Sequence, residues 1–163
     1  MFAYHGTTVE RAEQILKHGF QIRKGKVTND LGNGVYAYCN DERGAWNPRS
    51  NAIKFAKRFR NGPICVLKVT VDDNEITNNS LNLDRPEITP QWEAVRKRLE
   101  ERANNQWREL SQGKAKKRHN IDGIILEYVL NDKDIFTIQN NVINNPSCVL
   151  KQTYTSFCSP YDI

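Results

Sequence analysis

The amino-terminal stretch Tyr4-His5-Gly6-Thr7-Thr8 combines residue types that can contact a polar ligand. A histidine at the end of a strand can point into a cleft, and a glycine beside it lacks the Cβ atom that would keep a planar amide away from the main chain. The two threonine hydroxyls add hydrogen-bond donors and acceptors. The same residues also suit a plain turn from a strand into a helix, with a surface histidine and a threonine cap. By itself the motif leaves both interpretations open.

A second stretch, Leu31-Gly32-Asn33-Gly34-Val35-Tyr36-Ala37-Tyr38, places two glycines before a strand that carries two tyrosines. Gly-Asn-Gly is typical of a hairpin turn, and it also suits a loop whose main chain approaches a ligand in front of an aromatic surface. It is not a phosphate-binding P-loop, because the closing Lys-Ser/Thr pair is absent. It is not a Rossmann fingerprint either, because a third glycine and a following helix are lacking.

Taken together, the pattern YHGTT…A..IL..GF…LGNGVYAY…A..FA is similar to the amino-terminal half of the ADP-ribosyltransferase superfamily. The similarity is to the branch with a His-Tyr-Glu triad, which includes diphtheria-toxin-like enzymes and poly(ADP-ribose) polymerases. It covers residues 3–60 well and residues 120–145 weakly. The resemblance implies a cleft for NAD in which the histidine ring and the tyrosine ring face each other across one pocket.

The resemblance also assigns binding roles to residues near the amino terminus. It implies that His5 contacts the adenosine-side ribose of NAD and that Gly6 holds the nicotinamide amide through its main chain. Thr7 supplies a neighbouring hydroxyl, and Tyr36 lines the nicotinamide pocket. Phe55 is expected to add a second aromatic wall, although its spacing differs slightly from the family pattern.

The third member of the triad has two carboxylate candidates. Asp134 stands where the family's later strand carries glutamate, whereas Glu127 begins a Glu-Tyr-Val sequence that resembles the glutamate motif itself. Cleavage of the bond to nicotinamide builds positive charge on the ribose carbon, and a carboxylate that accepts the ribose 2′-hydroxyl supports that charge. Gln139 is a third polar candidate, able to hold the sugar but not to accept a proton. The alternative is that both carboxylates are solvated strand and turn residues.

Hydrophobic periodicity predicts the elements that position these residues. Strands are predicted at residues 2–5, 35–38, 64–71, 121–129, 135–139 and 147–157, and helices at residues 9–18, 51–60 and 90–110. Residues 72–89 are predicted to form a loop. The fold class is α+β, with an ADP-ribosyltransferase-like split antiparallel β core of about six short strands and three helices. We expect a single domain over residues 1–163, with a basic helical insertion around residues 89–120.

Composition narrows the setting in which the protein works. A length of 163 residues with 26% charged residues suits one globular domain. No apolar run approaches the roughly 18–20 residues that cross a bilayer, and the amino terminus lacks the features of a secretory signal. We therefore expect a cytoplasmic protein that does not contact membranes. The four cysteines form no CxxC pair, and no histidine lies at zinc-finger spacing, so we expect reduced thiols and no metal.

The net charge of +5 is concentrated between residues 96 and 118. Within this segment, Lys114, Lys116, Lys117 and Arg118 lead into the segment that carries Glu127. Positive charge beside a cleft attracts polyanions, and Trp107 is placed to stack on an exposed base. A solvated helix face is the alternative interpretation.

These features predict a mono-ADP-ribosyltransferase that uses NAD as a co-substrate and transfers ADP-ribose to a macromolecule. Nucleic acid, RNA or DNA, is favoured over protein as the acceptor because of the basic segment. A small basic enzyme of this kind is typical of a bacterial or phage-related toxin or defence effector with an inhibitory antitoxin partner. The alternatives are a transferase with a protein acceptor, a non-catalytic module that binds NAD or nucleic acid, and a basic RNA-binding protein or nuclease without NAD affinity.

Overall fold

The structure is a computed structural model that describes residues 1–22, 29, 31–40, 47–74, 80–83, 85–111, 118–131, 148–151 and 154–157. The first half of the chain forms β1 (Phe2–Thr8), α1 (Val9–His18), β2 (Val35–Cys39), α2 (Pro48–Phe59) and β3 (Ile64–Thr70). The second half forms β4 (Ser80–Asn82), α3 (Thr89–Ser111), α4 (Arg118–Asn131), β5 (Cys148–Lys151) and β6 (Tyr154–Phe157). The α+β class predicted from the sequence is confirmed.

Strand β1 is the centre of a three-stranded antiparallel sheet that then splits. It pairs with β3 along its whole length, but its pairing with β2 is limited to Ala3 opposite Cys39 and Tyr4 opposite Tyr38. The first half of β2, Val35–Ala37, pairs with β6 instead, so that the strand order is β3-β1-β2-β6-β5-β4. Strands β1 and β2 therefore diverge directly after Tyr4. Strands β4 and β5 run parallel, so the sheet is not antiparallel throughout.

One face of the sheet carries a small apolar cluster. Its buried members alternate along the strands as the two-residue period of a strand requires, and they come from β1, β2, β3 and the residue after β3. Phe20, Ile22 and Cys39 pack against this cluster. The buried members are Ala3, Val35, Ala37, Val69 and Val71.

A larger apolar cluster lies around α3 and α4. Trp92, Leu99 and Trp107 line one side of α3, at the spacing that brings residues onto one helix face. Leu31, Leu81 and Val149 join the same cluster from the segment before β2 and from strands β4 and β5. The predicted basic insertion around residues 89–120 is thus, in its described part, a component of the core.

The largest error of the sequence prediction concerns residues 121–129, which were expected to form a strand. They lie inside helix α4. Buried positions occur on all sides of this helix, including Ile121, Ile124, Ile125, Leu126 and Val129. A continuous apolar run has no period that separates a buried strand from a buried helix, and here tertiary packing decided for the helix. As a result the described residues contain at least four helices where three were predicted.

Other elements differ from the prediction mainly at their ends. Helix α1 covers the predicted residues, and Thr8 caps it by accepting a hydrogen bond from Arg11 N. Helix α2 begins at Pro48 rather than at residue 51, because Asn47 caps it and proline fits the first helical position. Strand β4 lies within the predicted loop of residues 72–89, and the predicted last strand is two strands, β5 and β6. The predicted strand at residues 135–139 lies outside the described residues.

None of the described helices is both long enough and apolar enough to cross a bilayer.

Candidate functional site

His5 lies on β1 at the point where β1 and β2 diverge. Its Nδ1 atom is 2.7 Å from the main-chain oxygen of Tyr36, and the ring of Phe20 packs edge-on against the imidazole at 5.2 Å. A carbonyl oxygen can only accept, so Nδ1 carries the proton and the neutral ring leaves Nε2 as a hydrogen-bond acceptor.

The surroundings of His5 favour the neutral imidazole. Burial lowers the pKa of His5, the hydrogen bond to Tyr36 raises it, and the nearby charge of Arg60 lowers it further, with a net decrease from 6.5. At neutral pH this side chain is therefore an uncharged acceptor, suited to a hydroxyl group, rather than a cation suited to a phosphate.

The phenol of Tyr36 is held by the glycine turn that precedes β2. Its oxygen accepts a hydrogen bond from Leu31 N at 3.0 Å and donates one to Gly32 O at 2.8 Å. Side-chain alternation along β2 places Tyr36 on the face opposite Val35 and Ala37. The same alternation along β1 places His5 on the face of the small apolar cluster.

The structure therefore brings His5 and Tyr36 together, but not with their rings face to face. The hydrogen bond between them runs from the imidazole to the main chain, and the two rings extend from opposite faces of the split sheet. The predicted arrangement of two facing rings is wrong in that respect. What the two residues share is the place where β1 and β2 stop pairing with each other, here called the gap between β1 and β2.

Glycine is required at position 6 because helix α2 packs against it, a contact that the sequence did not indicate. A Cβ atom at this position would lie 2.1 Å from the main-chain oxygen of Ala52 and 3.3 Å from the Cβ of Ala56. Helix α2 thus packs directly on the main chain of β1. Among the described residues, no strand pairs with the other edge of β1 beyond Tyr4, so main-chain polar groups on that edge face the gap, as at any sheet edge.

Glu127 lies on α4, not on a strand, yet it reaches the same glycine turn. Its Oε1 accepts a hydrogen bond from the main-chain N–H of Asn33, a residue 94 positions away in the chain. Gly32 has a φ of +77°, and a Cβ atom there would lie 2.4 Å from Glu127 Oε1. The turn therefore joins Tyr36 and Glu127, because Gly32 O holds the phenol and Asn33 N holds the carboxylate.

Phe55 and Thr7 have different surroundings. Phe55 is half-buried, with its ring centroid 6.4 Å from that of Tyr38 and 5.0 Å from that of Phe59. Thr7 is 2% exposed, so its side chain belongs to the interior of the described structure. Of these two predicted NAD contacts, the ring of Phe55 is the more accessible.

Several predicted site residues cannot be located. Asp134 and Gln139 lie outside the described residues, as do Lys114, Lys116 and Lys117. Arg118 is the first residue of α4.

The described part of the basic segment is less uniform in charge than its composition indicated. Trp107 is only 5% exposed and packs in the core, so its predicted stacking on a nucleic-acid base is wrong. Arg96 is paired with Asp122 of α4 at 2.7 Å. The exposed face of α3 carries both signs of charge in a shallow groove lined by Lys97, Glu100, Glu101, Asn104, Asn105 and Arg108.

Arg60 is the residue near this site that the sequence analysis missed. It follows α2, its guanidinium lies over the ring of Phe55 at 5.2 Å, and its charge lowers the pKa of His5. The signal that points to it is the spacing of Ala52, Ala56 and Arg60, since residues four apart share a helix face.

Comparisons with known proteins do not assign the chain to a family. No family model, no curated protein and no solved structure matches it. Within the described residues, no group of three or more His, Cys, Asp or Glu side chains is placed to hold a metal ion.

Proposed function

We propose that this protein is an NAD-dependent mono-ADP-ribosyltransferase of the His-Tyr-Glu type. The observation that supports this proposal best is the position of His5, neutral and bonded to the Tyr36 main chain, where β1 and β2 separate. The sequence resemblance to the family rests on these same two residues and on the glycines beside them. The comparisons found no relative to carry the proposal, so it stands on the chain's own residues.

In the proposed reaction, the bond between the ribose C1′ and the nicotinamide ring nitrogen breaks. The bonding electrons leave with nicotinamide, and the positive charge spreads over C1′ and the ring oxygen of the ribose. A nucleophilic oxygen or nitrogen of the acceptor then bonds to C1′ and gives its proton to a carboxylate or to water. Nicotinamide and the ADP-ribosylated acceptor are the products.

The proposed roles follow from the chemistry of each group. Nε2 of His5 accepts a hydrogen bond from a ribose hydroxyl, since it is the unprotonated nitrogen of the ring. The free edge of β1 at Gly6 offers main-chain donors and acceptors to the planar nicotinamide amide, as a sheet edge does to an added strand. Tyr36 and Phe55 supply aromatic surface for the nicotinamide ring.

The carboxylate that supports the ribose is proposed to be Glu127 or Asp134. Glu127 lies at the glycine turn that holds Tyr36, but its Oε1 is engaged by Asn33 N. That engagement favours a positioning role for Glu127. Substitutions at both sites separate the two candidates.

The acceptor is proposed to be a nucleic acid rather than a protein, because of the lysines at 114, 116 and 117 next to Arg118. Attachment of ADP-ribose to RNA or DNA suits a toxin or defence effector, for which an inhibitory antitoxin protein is the expected partner. Polymer synthesis is not proposed, since nothing in the chain resembles an elongation apparatus.

The test is incubation of the purified chain with NAD that carries a label on the adenosine, together with separate pools of RNA, DNA and lysate protein. We expect nicotinamide release and transfer of the label to RNA or DNA. His5→Ala and Tyr36→Ala should abolish both, while His18→Ala, at an exposed helix end, should leave both unchanged. Asp134→Asn and Glu127→Gln should show which carboxylate the reaction needs.

The outcomes discriminate between the alternatives. Label on protein alone would support a protein acceptor. NAD binding without nicotinamide release would support a non-catalytic module. No affinity for NAD at all would refute the proposal and favour a basic RNA-binding protein.

A further inference from the structure

Arg60 ends the face of α2 that lies against β1. Ala52 and Ala56 contact Gly6 of β1, and Arg60 continues the same row at the four-residue spacing. The main-chain N–H of Arg60 bonds to Ala56 O at 2.9 Å, and the backbone of Arg60 itself is extended, so this residue caps the end of α2. Arg60 is therefore positioned by the same helix–strand contact that makes residue 6 a glycine.

The guanidinium of Arg60 is a partly buried charge that few groups among the described residues stabilise. Its Nε is buried and has no hydrogen-bond partner among the described residues. It forms no ion pair with them either, and its guanidinium lies over the face of the Phe55 ring at 5.2 Å. Burial and the nearby Arg11 both lower the pKa of Arg60. A buried donor without a partner is costly. Arg60 as a whole is only half-buried, so an anion can approach the remaining N–H groups of its guanidinium and offset that cost.

A second cation lies close by, at the start of α1. Val9 N bonds to Pro63 O at 3.0 Å, which joins the first turn of α1 to the segment that follows Arg60. Arg11 is exposed in that turn, and the amino-terminal end of a helix also favours negative charge. Arg11 and Arg60 repel each other beside this helix start, and Glu10 is the acidic residue of the same turn.

We propose that Arg60, with Arg11 beside it, binds the diphosphate of a dinucleotide that lies in the gap between β1 and β2. The fork of N–H groups on a guanidinium matches two phosphate oxygens at once, and both phosphates carry the charge that the site lacks. Arg60 contacts Phe55, the proposed nicotinamide contact. Its charge also lowers the pKa of His5, the proposed ribose contact. The diphosphate is the part of NAD that connects those two ends. This inference rests on the proposed function in identifying the dinucleotide as NAD.

The chain offers a matched control for Arg60. Arg58 lies in α2, two residues before Arg60, and its guanidinium also lies 5.2 Å from a phenylalanine ring, that of Phe59, but it is exposed. Arg60→Ala and Arg58→Ala thus remove the same side chain and the same kind of ring contact. Only the first removes the buried Nε.

The experiment measures binding by calorimetry for three probes, namely ADP-ribose, inorganic pyrophosphate and nicotinamide riboside, which lacks the diphosphate. Arg60→Ala should weaken ADP-ribose and pyrophosphate about 10- to 100-fold, the effect of losing a charge-assisted contact. Arg58→Ala should leave both within about twofold, and neither variant should change the affinity for nicotinamide riboside. Arg60→Ala should melt no earlier than Arg58→Ala, because without ligand the lost donor had no partner.

Every other outcome contradicts either the inference about Arg60, the proposed function, or both. Unchanged ADP-ribose binding in Arg60→Ala would overturn the inference and leave the proposed function standing. Pyrophosphate binding that needs Arg60, without any affinity for ADP-ribose or NAD, would keep the anion site and refute the NAD proposal. No binding of any probe would refute both. Displacement of pyrophosphate by a single-stranded oligonucleotide but not by ADP-ribose would assign the site to the acceptor and overturn the inference.

Discussion

The two ring nitrogens of His5 have different tasks in this fold. Nδ1 is used by the structure, because it donates to the Tyr36 carbonyl and ties β1 to β2 beyond their last paired residues. Nε2 is the acceptor that we propose for a ribose hydroxyl. A protonated ring would lose this acceptor, and burial disfavours it, so structure and proposed function both require the neutral form.

Stability should therefore depend on pH through His5. Its pKa in the folded protein lies below the 6.5 of the unfolded chain, so below pH 6.5 the unfolded state binds more protons. The stabilisation is fully present above pH 6.5 and is lost as the pH falls through the folded pKa. Urea denaturation between about pH 5 and pH 8 should show this decline in the wild type and a smaller one in His5→Gln. His18→Gln is the control, and equal slopes in all three proteins would contradict the prediction.

The role of Glu127 can be tested by two substitutions. Glutamine keeps an oxygen that accepts from Asn33 N, whereas alanine leaves that N–H unpaired and the glycine turn unsupported. We expect Glu127→Ala to lower the free energy of unfolding by about 1–3 kcal/mol and Glu127→Gln by less. Nicotinamide release should fall only modestly in Glu127→Gln. A loss of about 100-fold or more in that variant would instead make Glu127 the catalytic carboxylate.

At the scale of elements, the contact between α2 and β1 organises the site. It requires glycine at residue 6, it sets Phe55 beside Tyr38, and it ends at Arg60. The helix is held at its start by Asn47, whose side chain accepts from Ser50 N at 2.8 Å. A shift of α2 would therefore move both an aromatic contact and the proposed phosphate contact.

Gly6→Ala should be strongly destabilising. Its methyl group would meet the main-chain oxygen of Ala52, which cannot rotate away, so α2 has to move. We expect a loss of at least about 3 kcal/mol, the upper part of the range for overpacking. Gly62→Ala adds the same methyl where no atom lies within 4 Å, and only its positive φ should cost about 1 kcal/mol. Equal losses in urea denaturation of the two variants would show that α2 does not pack on Gly6 in this way.

At the scale of the whole molecule, the packing around α3 and α4 joins segments that lie far apart in the sequence. Their shared cluster includes Leu31, directly before the glycine turn, and Val149 of β5. Glu127 reaches the turn because this packing places α4 beside it. The ion pair between Arg96 and Asp122 links the two helices where both side chains are mostly buried, at 15% and 12% exposure.

Removing one partner of this pair should cost more than removing both. Asp122→Ala leaves Arg96 as an unpaired, mostly buried charge, and the expected loss is about 3 kcal/mol or more. The double variant Arg96→Met with Asp122→Leu should recover most of that loss, because well-packed apolar residues replace such pairs at little cost. A double-mutant cycle in urea measures the difference. A single-variant loss below about 1 kcal/mol would mean that the pair behaves like an exposed one.

The sequence by itself determined the elements whose signals are local. Hydrophobic periodicity predicted strand β3, helix α1 and nearly all of helix α3. These signals depend on neighbours within a few residues, which is why they could be recognised without a structure. The resemblance predicted that the rings of His5 and Tyr36 face each other, whereas the structure joins the His5 ring to the main chain of Tyr36.

Only the tertiary structure decided the rest. The apolar run at 121–129 has no period of its own, and its helical form follows from burial on every side. Glu127 meets Asn33 across 94 residues, and Arg60 owes its place to Gly6, a residue in another element. Such contacts depend on how elements pack, which spacing along the chain does not encode. Hence the local signals could be recognised in the sequence, and the packing determined on which faces and beside which partners these side chains lie.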